Sequence, residues 1–249
     1  MLKIERQAFI LHQVNLHNKV LSTDLSKQIK VSDDTIRRDI HQLAEVGKII
    51  KVHGGALSPS FHNRHTASHE VYAYQQKKLI AQKAISLIKD GMFVLTTGGT
   101  TIIEMAKSLP LDLHATFISG SIPALAEYIV HPKIEVIAIG DKVSKDSKIT
   151  VGSDAISRIR ELKVDLCFLG VSALNLGRGV SDNDWEVVQI KKAMVEASER
   201  LICLTISEKI NSQQPLQVCD SKKIDTLITE LSPDDPLLEP YVRAGINVI

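Results

Sequence analysis

The chain has 249 residues, is 44% hydrophobic and 24% charged, and carries a net charge of +1. That length suits a small domain plus a medium one. No stretch comes near the roughly 18 apolar residues that cross a bilayer, so no membrane partner is expected and the protein reads as soluble and cytoplasmic. Charge is uneven: residues 1–58 hold 9 Lys and Arg against 6 Asp and Glu, and the remainder 21 against 23. The N-terminal part is therefore +3 and the rest −2, which points the small domain toward a polyanion. Cys167, Cys203 and Cys219 are few and far apart, the pattern of reduced thiols rather than disulfides or a metal site.

From Leu2 to about His17, Ile4, Ala8, Leu11 and Val14 fall on one helical stripe, with Ile10 at its edge. "STDLSKQIKV" offers Ser22 or Thr23 as a cap for a second helix that buries Leu25 and Ile29. After a break at Lys30 and Val31, Ser32 can cap a third helix whose first turn carries Asp33 and Asp34 and whose buried stripe is Ile36, Ile40, Leu43 and Ala44. A turn of about 100° per residue then faces Asp34, Arg38, His41 and Glu45 outward, flanked by Thr35, Arg37 and Gln42. Gly47 suits the end of this helix, and "KIIKVHGGA" reads as a hairpin with Gly54 and Gly55 at its turn. The sum is a helix-turn-helix followed by a wing. Its partner would be double-stranded DNA: Ser32, Thr35 and Arg38 for base edges, Arg37, Arg38, Lys48 and Lys51 for phosphates, with Asp34, His41 and the wing's His53 on the same surface. The competing reading makes "IRRDI" a solvated face in some other helical unit, with Asp34 and Arg38 a surface ion pair.

"ERQAFIL", "VSDDTIRRDIHQLAEVGKIIKVHGGA", "TTGGTT", "FLGVSAL" and "EVVQIKKAM" stand in the order and spacing of the DeoR family of bacterial transcriptional regulators, which the chain resembles over nearly its whole length. The resemblance implies a winged helix-turn-helix that binds operator DNA, an α/β effector domain like sugar-phosphate isomerases, a phosphorylated sugar as effector and repression as the usual direction. Lys30 departs from that pattern, which often has glycine in the turn; a left-handed lysine there costs about 1 kcal/mol.

"LSPSFHNRHTASHEVYAYQQ" has no sustained apolar period, so the expected organisation is a DNA-binding domain over 1–57, a linker over 58–74 and an effector domain over 75–249. His62, His65, His69 and Glu70 in the linker leave two readings, a zinc site or a solvated polar segment. No cofactor is expected.

Beyond residue 75, helical and strand-like runs alternate. "KKLIAQKAISLIKDG" precedes a strand at 93–97. A helix from Thr100 leads to "ATFISG", and one from Ile122 to "IEVIAIG". "VDLCFLGV" and "RLICLTI" are continuous apolar runs separated by a helix with stripe Val187, Ile190, Met194 and Ala197, and "DTLITEL" precedes a last helix and strand. This predicts an α/β fold with a mostly parallel sheet flanked by helices. Ligands of such sheets gather beyond the strands' carboxyl ends, where Gly98, Gly99, Thr100, Thr101, Ser119, Gly120, Ser121, Gly140, Asp141, Gly152, Gly170 and Ser172 supply small or hydrogen-bonding groups. Lys209 can add countercharge, and the resemblance brings Glu186 and Lys191 to the same pocket. Turns of this kind are rich in Gly, Ser and Thr whether or not they bind anything.

Three positions depart from the family: Thr96 where aspartate is usual, "SGS" at 119–121 for Thr-Asn-Ser, and Ile206 where an acid is usual. Each removes a group that can hold a sugar hydroxyl, leaving either a phosphorylated ligand of altered identity or a weakened sensor. An isomerase needs a general base, yet Thr96, Gly120 and Ile206 do not titrate and His114 and His131 open strands rather than close them. Asp165 also opens its strand, leaving only Asp141 and Glu186. A regulator acting as a dimer or tetramer explains more of the sequence than the alternative, an isomerase-like enzyme with a nucleic-acid module.

Overall fold

In the computed structural model, which describes residues 1–17, 19–59 and 71–249, local sequence rules build two compact units, Met1–Tyr74 and Gln75–Ile249. His62, His65, His69 and Glu70 lie outside the described residues.

The first unit contains α1 (Lys3–His17), β1 (Lys19–Leu21), α2 (Ser22–Ile29), α3 (Asp33–Glu45), β2 (Ile50–Val52) and β3 (Gly55–Leu57). Ile10, Val14, Leu25, Ile36, Ile40, Leu43, Ile49 and Ala56 form its core. The buried face of α1 differs from the predicted stripe. Ile10 and Val14 are fully buried, whereas Ile4 is 82% exposed. The reason lies one turn earlier: Arg6, in phase with Ile10 and Val14, pairs with the buried carboxylate of Asp39 on α3, which rotates α1 onto that side. Gln7 also donates to Asp39 Oδ1 (3.3 Å) and Gln42 Oε1 (2.9 Å).

The predicted cap of α2 is corrected too. Leu21 holds the N-cap position without a side-chain bond, and Ser22, inside the helix, is buried with its hydroxyl unpartnered among the described residues. Here the chain enters α2 directly from β1, with the Ser22 N–H donating to Gly54 O (2.8 Å), so the strand holds the helix start that a side chain holds elsewhere. At the other end Lys30 is left-handed, φ 55° and ψ 47°. Ser32 caps α3, accepting from the Thr35 N–H (3.3 Å), and Gly47, at φ 70°, follows its end.

The wing is a three-stranded antiparallel sheet in the order β1-β3-β2. Its third strand, β1, has only three residues and no readable alternation. The adjacent glycines serve different purposes. Gly54 makes the turn at φ 78°, whereas Gly55 lies in β3, where a Cβ would stand 1.9 Å from the Val20 carbonyl oxygen.

The second unit opens with α4 (Tyr74–Ile85) and continues through β4 (Phe93–Thr96), α5 (Thr100–Lys107), β5 (Thr116–Ser119), α6 (Ile122–Tyr128), β6 (Glu135–Ala138), β7 (Lys142–Val143), β8 (Thr150–Val151) and α7 (Ser153–Arg160). There follow β9 (Val164–Gly170), β10 (Ala173–Asn175), β11 (Gly179–Asp182), α8 (Trp185–Ala197), β12 (Ser198–Leu204), β13 (Leu216–Cys219), β14 (Thr226–Ile228), α9 (Glu239–Arg243) and β15 (Asn247–Val248). Seven strands form one parallel sheet in the order β15-β14-β12-β9-β4-β5-β6. The apolar runs of β9 and β12 fill its middle, as residues buried on both faces must. Val187, Ile190, Met194 and Ala197 are all buried beneath α8. Three features went unpredicted: the β7–β8 hairpin, α7, and an antiparallel sheet β10-β11-β13. Their strands run two to four residues, too short to display a period.

Gly55→Ala is expected to lower stability by about 1–3 kcal/mol, because backbone must move. Gly54→Ala, which meets nothing within 4 Å, should cost only about 1 kcal/mol of left-handed strain. Thermal denaturation of the two variants checks the difference.

Candidate functional site

The sheet order places a topological switch between β4 and β9: β5 and β6 lie to one side of β4, and β9, β12, β14 and β15 to the other. Chains leaving β4 and β9 depart in opposite directions and leave a crevice at their carboxyl ends. Thr97 closes its base. The Thr97 N–H donates to Phe168 O (3.1 Å), and the Gly170 N–H donates to Thr97 Oγ1 (2.8 Å). Gly98 and Gly170 touch so closely that a Cβ on Gly170 would sit 2.9 Å from Gly98 O. Gly99, at φ 114° and ψ 159°, then starts α5 with no side-chain cap, leaving the first backbone N–H groups of that helix for a ligand.

Three lysines lie toward this end of the sheet. Lys191, on the buried side of α8, donates to Gly170 O (2.9 Å) and Asp182 Oδ2 (2.7 Å). Lys209 donates to Val171 O (3.2 Å). Lys77, on α4 and only 4% exposed, feels the charge of Lys209 and, in the opposite sense, those of Glu104 and Glu208. Burial, and then repulsion by Lys209, lowers the Lys77 pKa to about 7. Burial, and then Lys191, lowers that of Lys209 to about 8, against the pull of Asp182 and Glu208. Burial alone would raise the Asp182 carboxyl, but the Lys191 ammonium and hydrogen bonds from Lys191, Ser172 and the Asn183 N–H hold it below the usual carboxylate range. Lys77 and Lys209 thus repel each other in a desolvated place, a repulsion that an anion would relieve.

The other residues named from sequence divide into groups. Gly98, Gly99, Thr100 and Thr101 form the β4–α5 turn. Ser119 is fully buried and donates to Thr96 O (3.0 Å), and Ser121 caps α6. Gly120 and Ser121 meet this turn through Ile149 and Thr150: a Cβ on Gly98 would lie 2.9 Å from Ile149 Cγ2 and 3.2 Å from Ser121 Oγ. Gly140, Asp141, Gly152 and Glu186 are differently engaged. The Asp141 carboxylate accepts from the Lys142, Asp154 and Ala155 N–H groups (2.6, 3.1 and 3.2 Å), which holds its pKa down. It thereby caps α7, and Gly152, at φ 120°, leaves it room. Glu186 pairs with Lys142 (3.1 Å) on the surface. Lys77, Thr97, Thr150 and Asp182 were missed. Lys77 carried a signal: it occupies the buried stripe of α4 with Ile80, Ala81 and Ala84.

On the first unit Asp34, Arg37, Arg38, His41, Lys48, Lys51 and His53 are exposed. Arg37 pairs with Asp33 (2.8 Å) and His41 lies 3.5 Å from Glu45. Among the described residues Arg38 has no carboxylate partner. Ser32 and Thr35 share a hydrogen bond (2.8 Å), so each meets a base edge only with part of its bonding capacity.

Two family models between them match most of the chain. A DeoR-like helix-turn-helix domain matches residues 6–61 and a DeoR C-terminal sensor domain matches residues 72–231. An uncharacterized HTH-type transcriptional regulator, YulB of Bacillus subtilis, is 30% identical over 92% of this chain and 90% of its own. GlcR, an HTH-type transcriptional repressor of the same organism, is 29% identical over 98% and 95%. A putative aga operon transcriptional repressor of Escherichia coli O157:H7 is 27% identical over 98% and 93%. Among solved structures, ribose 5-phosphate isomerase A of Neisseria gonorrhoeae is 15% identical with a TM-score of 0.41, over 56% of this chain and 54% of that one. The chain thus spans about half the length of that isomerase.

Lys191→Met is expected to destabilise the second unit by about 3–5 kcal/mol, since it strands a buried carboxylate. Adding Asp182→Asn should recover part of the loss. A double-mutant cycle in denaturant measures it.

Proposed function

Because the chain belongs to the DeoR family of HTH-type transcriptional regulators, a DNA-binding class and not an enzyme, we propose that it represses a sugar- or carbohydrate-metabolism operon and responds to a phosphorylated sugar or similar small anion. The observation that carries the effector is the reach of Lys191 to Gly170 O and of Lys209 to Val171 O, with Lys77 near enough to feel Lys209, at the switch point where the uncapped α5 also begins. The phosphate sits over Gly98, Gly99, Thr100 and Thr101, with Gly120, Ser121 and Gly170 forming the walls. Asp141, Gly152 and Glu186 shape the rim. The uncharged Thr96, Gly120 and Ile206 suit a binding site better than an isomerase site, which needs a base.

For DNA, the solvent face of α3 enters the major groove, Arg38 reading a base edge and Arg37, Lys48 and Lys51 holding phosphates, with Asp34, His41 and His53 beside them. The domains run over 1–57 and 75–249, joined by a linker at 58–74. A homo-oligomer, dimer or tetramer, presents two such faces to a symmetric operator. Effector binding changes affinity for DNA only through unequal contacts with the two states of the protein.

Selection of bound fragments from the source genome, followed by gel shifts with and without sugar phosphates, tests the reading. Arg38→Ala should weaken specific binding by about 1–3 kcal/mol and relax preference at one base pair. Lys51→Ala should weaken all sequences alike and reduce the salt slope by about 0.9. Binding insensitive to both removes α3 and the wing from the interface.

Proton linkage gives an independent check. A bound anion raises the pKa of Lys77 and Lys209, so binding above about pH 7 takes up protons, and affinity falls as pH rises through the values of about 7 and about 8. A phosphate monoester, with a second pKa of about 6, keeps its charge over that window. Calorimetry in buffers of different ionisation enthalpy should show proton uptake at pH 8 that Lys77→Met reduces.

A further inference from the structure

Residues 149–150 cover both glycine turns of the crevice. The Thr150 N–H donates to Gly120 O (2.8 Å), the Ile122 N–H to Lys148 O (3.0 Å), and Ile149 bridges Ser121. The hairpin is thereby stitched to the β5–α6 turn, and its two side chains have fixed destinations. Ile149 lies against Gly98. Thr150 lies against Gly120, its hydroxyl oxygen 2.3 Å from where a Cβ on Gly120 would stand. Thr150 is only 4% exposed, yet among the described residues its hydroxyl has no hydrogen-bond partner. A buried hydroxyl without a partner is costly. Valine, the same shape without the polar atom, fills the space at no such cost, so packing does not account for threonine here.

Resting on the pocket reading above, we propose that Thr150 is a specificity-determining residue of the effector site: its hydroxyl, seated on Gly120, hydrogen-bonds a hydroxyl of the polyol portion of a ligand whose phosphate lies at the start of α5. Gly120 is the necessary counterpart, because any side chain there occupies the position of the Thr150 oxygen. The pair replaces one source of polar recognition with another. In place of the asparagine amide usual in the β5–α6 turn, a hydroxyl arrives from the hairpin. Such a group discriminates against ligands that cannot engage it.

The experiment uses the full chain, Thr150→Val, Thr150→Ser, and a panel of inorganic phosphate with triose, pentose and hexose phosphates, read by thermal shift and calorimetry. Thr150→Val is expected to leave the free protein as stable as before or more so. It should weaken the best sugar phosphate by about fivefold to tenfold and leave inorganic phosphate unchanged, with Thr150→Ser retaining most of the affinity. Loss of stability in the free Thr150→Val protein would assign the hydroxyl a structural bond and overturn the proposal. So would wild-type binding of a sugar phosphate that Thr150→Val does not alter, which leaves the pocket reading intact. Silence of the wild type toward the whole panel overturns the pocket reading and this assignment together.

Discussion

The bond from the Gly170 N–H to the Thr97 hydroxyl joins two neighbouring strands just where their chains part. Parallel strands need long crossovers, and this sheet sends those crossovers in opposite directions from β4 and β9. Backbone groups at the parting are left without a strand partner. Thr97 supplies one from its side chain, and the chain is then free to turn through two glycines into α5. The crevice, the uncapped helix and the approach of Lys191 to Gly170 O all depend on that local closure.

Charge in the crevice is arranged asymmetrically. Lys191 is compensated by Asp182, and this pair makes a fixed polar floor. Lys77 and Lys209 repel each other within a desolvated space, and the nearby acids Glu104 and Glu208 only partly offset them. An anion placed between the two lysines would relieve that repulsion. Nothing similar exists at the start of α7, where Asp141 already fills the position an anion would take.

Much of this was legible in the sequence, and the illegible parts share a cause. Helix periods and apolar runs gave α3, the wing hairpin and the order of strands and helices, since those signals come from burial. Residues whose role depends on distant partners did not announce it. Asp39, Lys77 and Glu104 look like ordinary charges, but each falls on a helix's buried stripe, beside Ile36 and Ile40, Ile80 and Ala81, and Met105 and Ala106. A charge in core phase is a sign of a partner elsewhere. The same holds in α1, where Arg6 is in phase with the buried Ile10 and Val14 and pairs with Asp39. Thr150 carried no such mark, because a two-residue strand shows no period and the hydroxyl's isolation exists only in three dimensions.

The clamp between Arg6 and Asp39 separates two properties of α3. One side is anchored to α1 by buried ionic and amide contacts, and the opposite side carries Asp34, Arg37, Arg38 and His41 in solvent. None of those four contributes to the core. Substitutions among them can therefore accumulate without unfolding the unit, so that the exposed face of α3 is free to diverge on an inherited scaffold.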